Sequence, residues 1–360
     1  MAHLFESFSL RSLALRNRIG VPAMCQYSAR DGLAGDWHLV HYGARAVGGA
    51  ALIIGEATAV APEGRISPAD LGLWDDGQIE PLGRVARFAQ AQGCPMAAQL
   101  AHAGRKASMR RGWEAQTPIP ADEGGWPLVA PSPIPYSEAH ATPRELGIAD
   151  IRGIVDKFAA AARRAYAAGF SAIEIHAAHG YLLHEFLSPL SNRRVDDYGG
   201  SFARRARLVV EVSAAVRAAW PEPLPLIVRL SATDWVDGGW TPDETIALCR
   251  TLKTHGVDLI DVSTGGIVPD ARIPSGPGFQ IEFAERVRSE AGIPVAAVGL
   301  ITTPAQADHV IRSGQADMVL LGREILRNPY WPMTAAHELG QTAAWPPQYL
   351  RAAPSGSVAR

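Results

Sequence analysis

Short apolar runs alternate with amphipathic stretches along the whole chain. Eight runs, Arg18–Met24, Ala51–Val60, Met96–Ala103, Ala172–Ala177, Leu226–Ala232, Leu259–Thr264, Val295–Leu300 and Met318–Gly322, are almost continuously apolar. Continuous rather than alternating apolarity marks parallel strands buried on both faces. Between them lie stretches with charged faces and helix end signals. Pro81–Gln92, Ile151–Ala168, Pro242–His255, Glu282–Ala291 and Pro304–Ser313 each run into a glycine. Glycine there supplies the left-handed residue that closes a helix. Three of these stretches also begin on proline, which the first helical turn tolerates. Eight strand–helix pairs predict an α/β fold, a (β/α)8 TIM barrel with long loops capping the C-terminal face. The rival, a doubly wound open sheet, calls for Gly-x-Gly-x-x-Gly after an early strand, and no strand is followed by one.

Two strand-to-helix connections are too long to be simple links. The stretch 104–148 contains seven prolines with Trp113 and Trp126, and 180–201 is polar and carries Tyr198-Gly-Gly. In a barrel both lie over the catalytic mouth, where long loops serve as lids or binding elements. No linker divides the chain, so residues 1–340 are expected to form a single barrel and 341–360 an extended C-terminal tail.

Composition narrows the partners. The net charge is −2, so nothing draws the chain to nucleic acid or to an acidic membrane. Three scattered cysteines, Cys25, Cys94 and Cys249, exclude a disulfide framework and a four-cysteine cluster. The first twelve residues lack the apolar run of a secretory signal, and no stretch is long and apolar enough to span a membrane. A soluble, cytoplasmic enzyme acting on small molecules is the expectation.

Barrel enzymes gather reactive residues at the C-terminal ends of strands. Read there, the chain gives Ala23-Met24-Cys25-Gln-Tyr27, Glu56-Ala57-Thr58, Gln99-Leu-Ala-His102-Ala-Gly-Arg105-Lys106, His176-Ala-Ala-His179-Gly-Tyr181, Arg229, Ser263-Thr-Gly-Gly, Val298-Gly299 and Gly322-Arg323. Gly299, Gly322 and Arg323 follow strands seven and eight, where barrels commonly bind phosphate through backbone amides and a cation. His176 and His179 sit in one turn and suit either hydrogen bonding to a carbonyl oxygen or metal ligation. Ligation would make the chain a metal-dependent hydrolase, but it needs further ligands, with His102, Glu174 and Asp196 as candidates, and Arg229 projects into the same mouth. Lys106 is expected to play an ionic role rather than that of a Schiff-base lysine. Cys25 reads equally as a small buried hydrophobe or as a functional thiol.

Taken together, these motifs resemble the old yellow enzyme family of flavin-dependent ene-reductases, and within it the bacterial xenobiotic-reductase branch with an active-site cysteine. The likeness runs through Met24-Cys25-x-Tyr27, the motifs at 99–106 and 176–181, His184-Glu-Phe-Leu-Ser-Pro-Leu-Ser-Asn192, Asp197-Tyr-Gly-Gly200-Ser, Val298-Gly-Leu-Ile and Gly322-Arg323. Position 23 is the one visible departure, alanine where the family usually has proline. The resemblance implies FMN above the barrel mouth and NADPH or NADH as reductant. Cys25 would tune the flavin, Ala23, Met24, Ala57, Gln99 and Val298 would line it, and Arg229 would neutralise its N1/O2 edge. Gly299, Gly322 and Arg323 would hold its phosphate. His176 and His179 would bind the substrate carbonyl, Tyr181 would donate the proton, and Tyr27 would help hold the substrate. The implied reaction is reduction of the C=C bond of enones, and of nitro compounds, by a ping-pong hydride mechanism. The resemblance also implies a homodimer or homotetramer whose tail, with Arg351, reaches a neighbour's active site.

Overall fold

The eight apolar runs form eight parallel strands in the computed structural model, which describes residues 2–115 and 117–358. They are β1 (Ile19–Val21), β2 (Leu52–Ala59), β3 (Met96–Ala101), β4 (Ala172–Ala177), β5 (Leu226–Ser231), β6 (Leu259–Ser263), β7 (Val295–Val298) and β8 (Met318–Leu320). Each pairs with its sequence neighbour and β8 pairs with β1, so the sheet closes on itself. A closed sheet has no free edge. Among the described residues ten helices, α1 (Asp36–Val47), α2 (Ile79–Ala91), α3 (Ile148–Ala167), α4 (Leu182–Leu187), α5 (Phe202–Ala219), α6 (Pro242–Thr254), α7 (Ile281–Arg286), α8 (Pro304–Arg312), α9 (Arg323–Arg327) and α10 (Trp331–Glu338), lie between the strands or follow β8. The expected TIM barrel is the observed one.

Several strands stop short of their apolar runs, for local reasons. Pro22 has no N–H to give, and β1 ends before it. At the end of β7, Gly299 (φ 129°) and Leu300 (φ 52°) turn out of the sheet. The apolar residues beyond these points line the mouth instead of the core.

A hairpin of Phe8–Leu10 against Leu13–Leu15 was not foreseen. Leu10 and Leu15 pack with Leu52, Ile54, Ala97, Ile227, Leu259 and Met318 at the strands' N-terminal halves. The hairpin seals that end of the barrel, so chemistry is left to the other. At residues 341–358 the tail departs from an extended course. It makes a 3-10 turn over Pro347–Ala352 and closes on itself through the Ala343 N–H on the Ser357 carbonyl at 2.9 Å.

Candidate active site

The register between β2 and β3 shifts between Ile54 and Ala57, an irregularity that re-aims the end of the strand. Glu56 becomes a buried anchor: its carboxylate accepts from the Gln26 N–H at 2.8 Å and from the Tyr42 hydroxyl at 3.2 Å. Gln26 separates Cys25 from Tyr27, whose backbone is left-handed at φ 47°. Glu56 thus pins the segment that carries both. The half-buried Cys25 thiol is pushed well up by burial, then by Asp70 and Glu56, so it stays protonated.

His176 and His179 share the end of β4 with Tyr181. The His176 ring centroid lies 5.2 Å from each of the other two rings, edge to face. His179 is fixed twice, its N–H on Ser231 Oγ at 2.9 Å and its Nε2 2.7 Å from Ser263 Oγ. Gly180 (φ 72°) packs so tightly on the loop after β6 that a Cβ there would lie 2.0 Å from the Gly266 carbonyl oxygen. Burial, then the Arg229 guanidinium, holds both imidazoles well below their ordinary range, so they are neutral at neutral pH. Burial, then Cys25 and Tyr27, keeps Tyr181 a protonated phenol.

Lys106 differs from the ionic role expected of it. Its ammonium donates to the carbonyls of His179 at 2.8 Å and Gly266 at 3.1 Å, tying the two loops together. Burial lowers it to about 8. The ligands that a metal would need are engaged elsewhere: His102 Nδ1 accepts from the Gly104 N–H at 3.1 Å, and Asp196 pairs with Arg194 at 2.6 Å. Among the described residues no three His, Cys, Asp or Glu side chains converge as a ligand set.

A cavity of about 390 Å³ opens at the ends of β1, β5, β7 and β8, lined by Ala23, Met24, Arg229, Val298, Gly299, Gly322 and Arg323 among others. Gln280, which the sequence reading left out, shapes it. Its amide donates to the Val298 carbonyl at 2.9 Å and its oxygen accepts from Thr264 Oγ1 at 2.6 Å. A Cβ on Gly299 would press on the Gln280 side chain at 3.0 Å, whereas one on Gly322 would meet nothing nearer than 4.0 Å and would fill open space. Gln99 lies inside the barrel, donating to Glu174 Oε1 at 2.7 Å, and Ala57 borders a small void with His176, Tyr181 and Asp70. Arg229 lines the large cavity while its Nε faces Asp261 at 3.0 Å, a partner not anticipated. Arg351 does not join these residues; it is exposed in the tail's 3-10 turn. Glu174 was read only as a possible metal ligand and Asp261 not at all, although a carboxylate inside an apolar strand run is itself a signal of function.

A barrel with a cationic, glycine-rimmed cavity at strands seven and eight, beside neutral imidazoles and a phenol, defines a cofactor-dependent barrel enzyme. The chain belongs to the NADH:flavin oxidoreductase / NADH oxidase family, whose profile matches residues 3–342. It is 49% identical over 350 residues to an NADPH dehydrogenase of Geobacillus thermodenitrificans (strain NG80-2), covering 97% of this chain and 98% of that protein. Among solved structures it resembles morphinone reductase, with 28% identity, TM-score 0.79 and coverage of 99% of this chain and 93% of that one. It also resembles an old yellow enzyme homologue from Zymomonas mobilis, with 26% identity, TM-score 0.78 and coverage of 98% and 99%. The old yellow enzyme resemblance is therefore borne out, and the chain is an FMN-linked oxidoreductase that draws on a reduced nicotinamide. The donor set fits FMN: Arg323 and the open backbone at Gly322 suit a phosphate, and Arg229 suits an anionic ring edge.

Proposed function

We propose that the protein is an ene-reductase that reduces the C=C bond of α,β-unsaturated carbonyl compounds, and nitro compounds, in a ping-pong cycle. The observation that carries this reading is the pair of neutral imidazoles, His176 and His179, held beside a protonated Tyr181 at one strand end. The chemistry supplied by bound FMN is two-electron transfer between NADPH, or NADH, and the alkene. Ala23, Met24, Cys25, Ala57, Gln99, Arg229 and Val298 are assigned to its ring, and Gly299, Gly322 and Arg323 to its phosphate.

Reduction at the β-carbon drives negative charge onto the carbonyl oxygen. Two N–H donors already in place act on that charge as it forms, and losing one such donor typically costs ~10²–10³ in rate. Because both imidazoles are neutral, they stabilise the charge by hydrogen bonding and do not protonate the oxygen outright. Tyr181 then gives its proton to the α-carbon as general acid. Cys25 acts as an uncharged thiol at the edge of the site, and Tyr27 helps to hold the substrate.

We assign the protein to the cytoplasm and to a homodimer or homotetramer in which the tail of one copy completes the site of the next, as a small appendix to a single barrel of residues 1–340. This reading draws support from the exposed Arg351, which pairs with no carboxylate among the described residues. Among the described residues no helix is long and apolar enough to cross a membrane. Anaerobic steady-state kinetics with NADPH and cyclohexenone test the activity: parallel double-reciprocal lines with formation of the saturated ketone are expected. NADPH oxidation that leaves the enone intact would remove the ene-reductase reading.

A further inference from the structure

Two carboxylates and one guanidinium lie inside the barrel directly below the mouth. Glu174 on β4 and Asp261 on β6 are fully buried, and Arg229 on β5 lies between them in the sheet, level with Asp261. Arg229 Nε is 3.0 Å from Asp261 Oδ2, and the strand register turns Glu174, two residues before the position level with Arg229, to the same inward face as both. Gln99 occupies Glu174 Oε1 at 2.7 Å. Glu174 Oε2 and both Asp261 oxygens have no well-directed donor among the described residues. Two buried anions against one cation leave an uncompensated charge, and a shared proton removes it. Placed on Glu174 Oε2 and directed to Asp261, that proton also supplies the missing donor.

We propose that Glu174 and Asp261 share one proton and so set the charge that Arg229 presents to the flavin. With the proton the three groups are neutral together; on its release to solvent they carry one net negative charge, which disfavours an anionic reduced flavin. Glu174 is then a positioning residue acting through Asp261 and Arg229. The proposal rests on the placement of FMN against Arg229 made above.

Burial, then the Asp261 charge, raises the Glu174 carboxyl to about 8, against the pull of Arg229 and Gln99. Other titratable groups face this cluster. His176, two residues along β4, is held neutral by burial and Arg229. On α4, Glu185 is raised to about 8 by burial, and His184 is paired with Asp234 at 3.0 Å. Lys106 is lowered to about 8 by burial. A shift near pH 8 therefore has to be traced to Glu174 by substitution. Glu174→Gln suits this, since an amide reproduces the protonated acid's donor and acceptor and cannot ionise.

The experiment is a spectroelectrochemical titration of the bound FMN in wild type and Glu174→Gln from about pH 6 to pH 9. The two potentials should coincide at the acid end, and the wild type should fall below the variant at the alkaline end. Parallel curves throughout, or a gap already present at pH 6, would overturn the proposal. Infrared spectroscopy of the apoprotein needs no flavin. At pH 6 the wild type should show a buried protonated-carboxyl band, fading towards pH 9, that Glu174→Gln lacks while keeping that of Glu185, and identical bands in the two proteins would also overturn the proposal. A protein without flavin that keeps this band would instead fail the FMN placement alone.

Discussion

Tyr181 is the residue whose role separates most cleanly by kinetics. Reduction of the protein by NADPH needs no proton from it, whereas reoxidation by an enone does. Tyr181→Phe is expected to leave stopped-flow reduction near normal and to slow reoxidation by cyclohexenone within the ~10²–10⁴ of general-acid catalysis. Equal slowing of both phases would make it a positioning group. Arg229→Met should lower FMN retention and the flavin potential, because it leaves Asp261 buried without its cation. An unchanged potential with full FMN content would remove Arg229 from the site. Buried acids give a further expectation. Glu174 and Glu185 are raised to about 8, so between roughly pH 6.5 and 8 the folded state holds protons that the unfolded chain has already lost. Stability must then fall as pH rises through that window. Thermal unfolding should show this fall, and Glu174→Gln should flatten it; a flat wild-type profile would contradict the raised values.

At the scale of elements, periodicity and strand-end chemistry were legible where backbone and burial act locally. Continuous apolar runs locate all eight strands, and glycines after helices mark five helix ends, one of which, Gly292, closes the π-helical turn Val287–Ala291 that continues α7. The hairpin Phe8–Leu10/Leu13–Leu15 was not legible, because three-residue strands are too short to show a period and the residues they pack on are distant in sequence. Gln280 escaped for a similar reason: its contacts with Val298 and Thr264 span sequence separations that no local pattern encodes. Nor does a sequence reveal that Arg229 meets Asp261, since strand register decides it. Gly299 carries an element-scale prediction. Its φ of 129° and a Cβ position 3.0 Å from Gln280 make alanine strained there, a cost of about 1–3 kcal/mol. Gly299→Ala should fold with a lower Tm and retain less FMN after dialysis; wild-type retention would show that this turn does not shape the cofactor cavity.

For the whole molecule, one end of the barrel is closed by packing and the other is left polar, cationic and rimmed by turning backbone. The tail bears on assembly. Deleting the residues after Ala344 is expected to change enone affinity or oligomeric state while leaving FMN bound. A fully active monomer by light scattering would contradict a shared site. The central claim, that this chain passes electrons from a nicotinamide through FMN to an activated alkene, has one direct test. The anaerobic protein is reduced with one equivalent of NADPH, then cyclohexenone is added while the visible spectrum is followed. Bleaching of a flavin band, and its return in step with formation of cyclohexanone, is the result expected. A protein with no flavin band, or a bleached band that cyclohexenone leaves unchanged, would contradict the account.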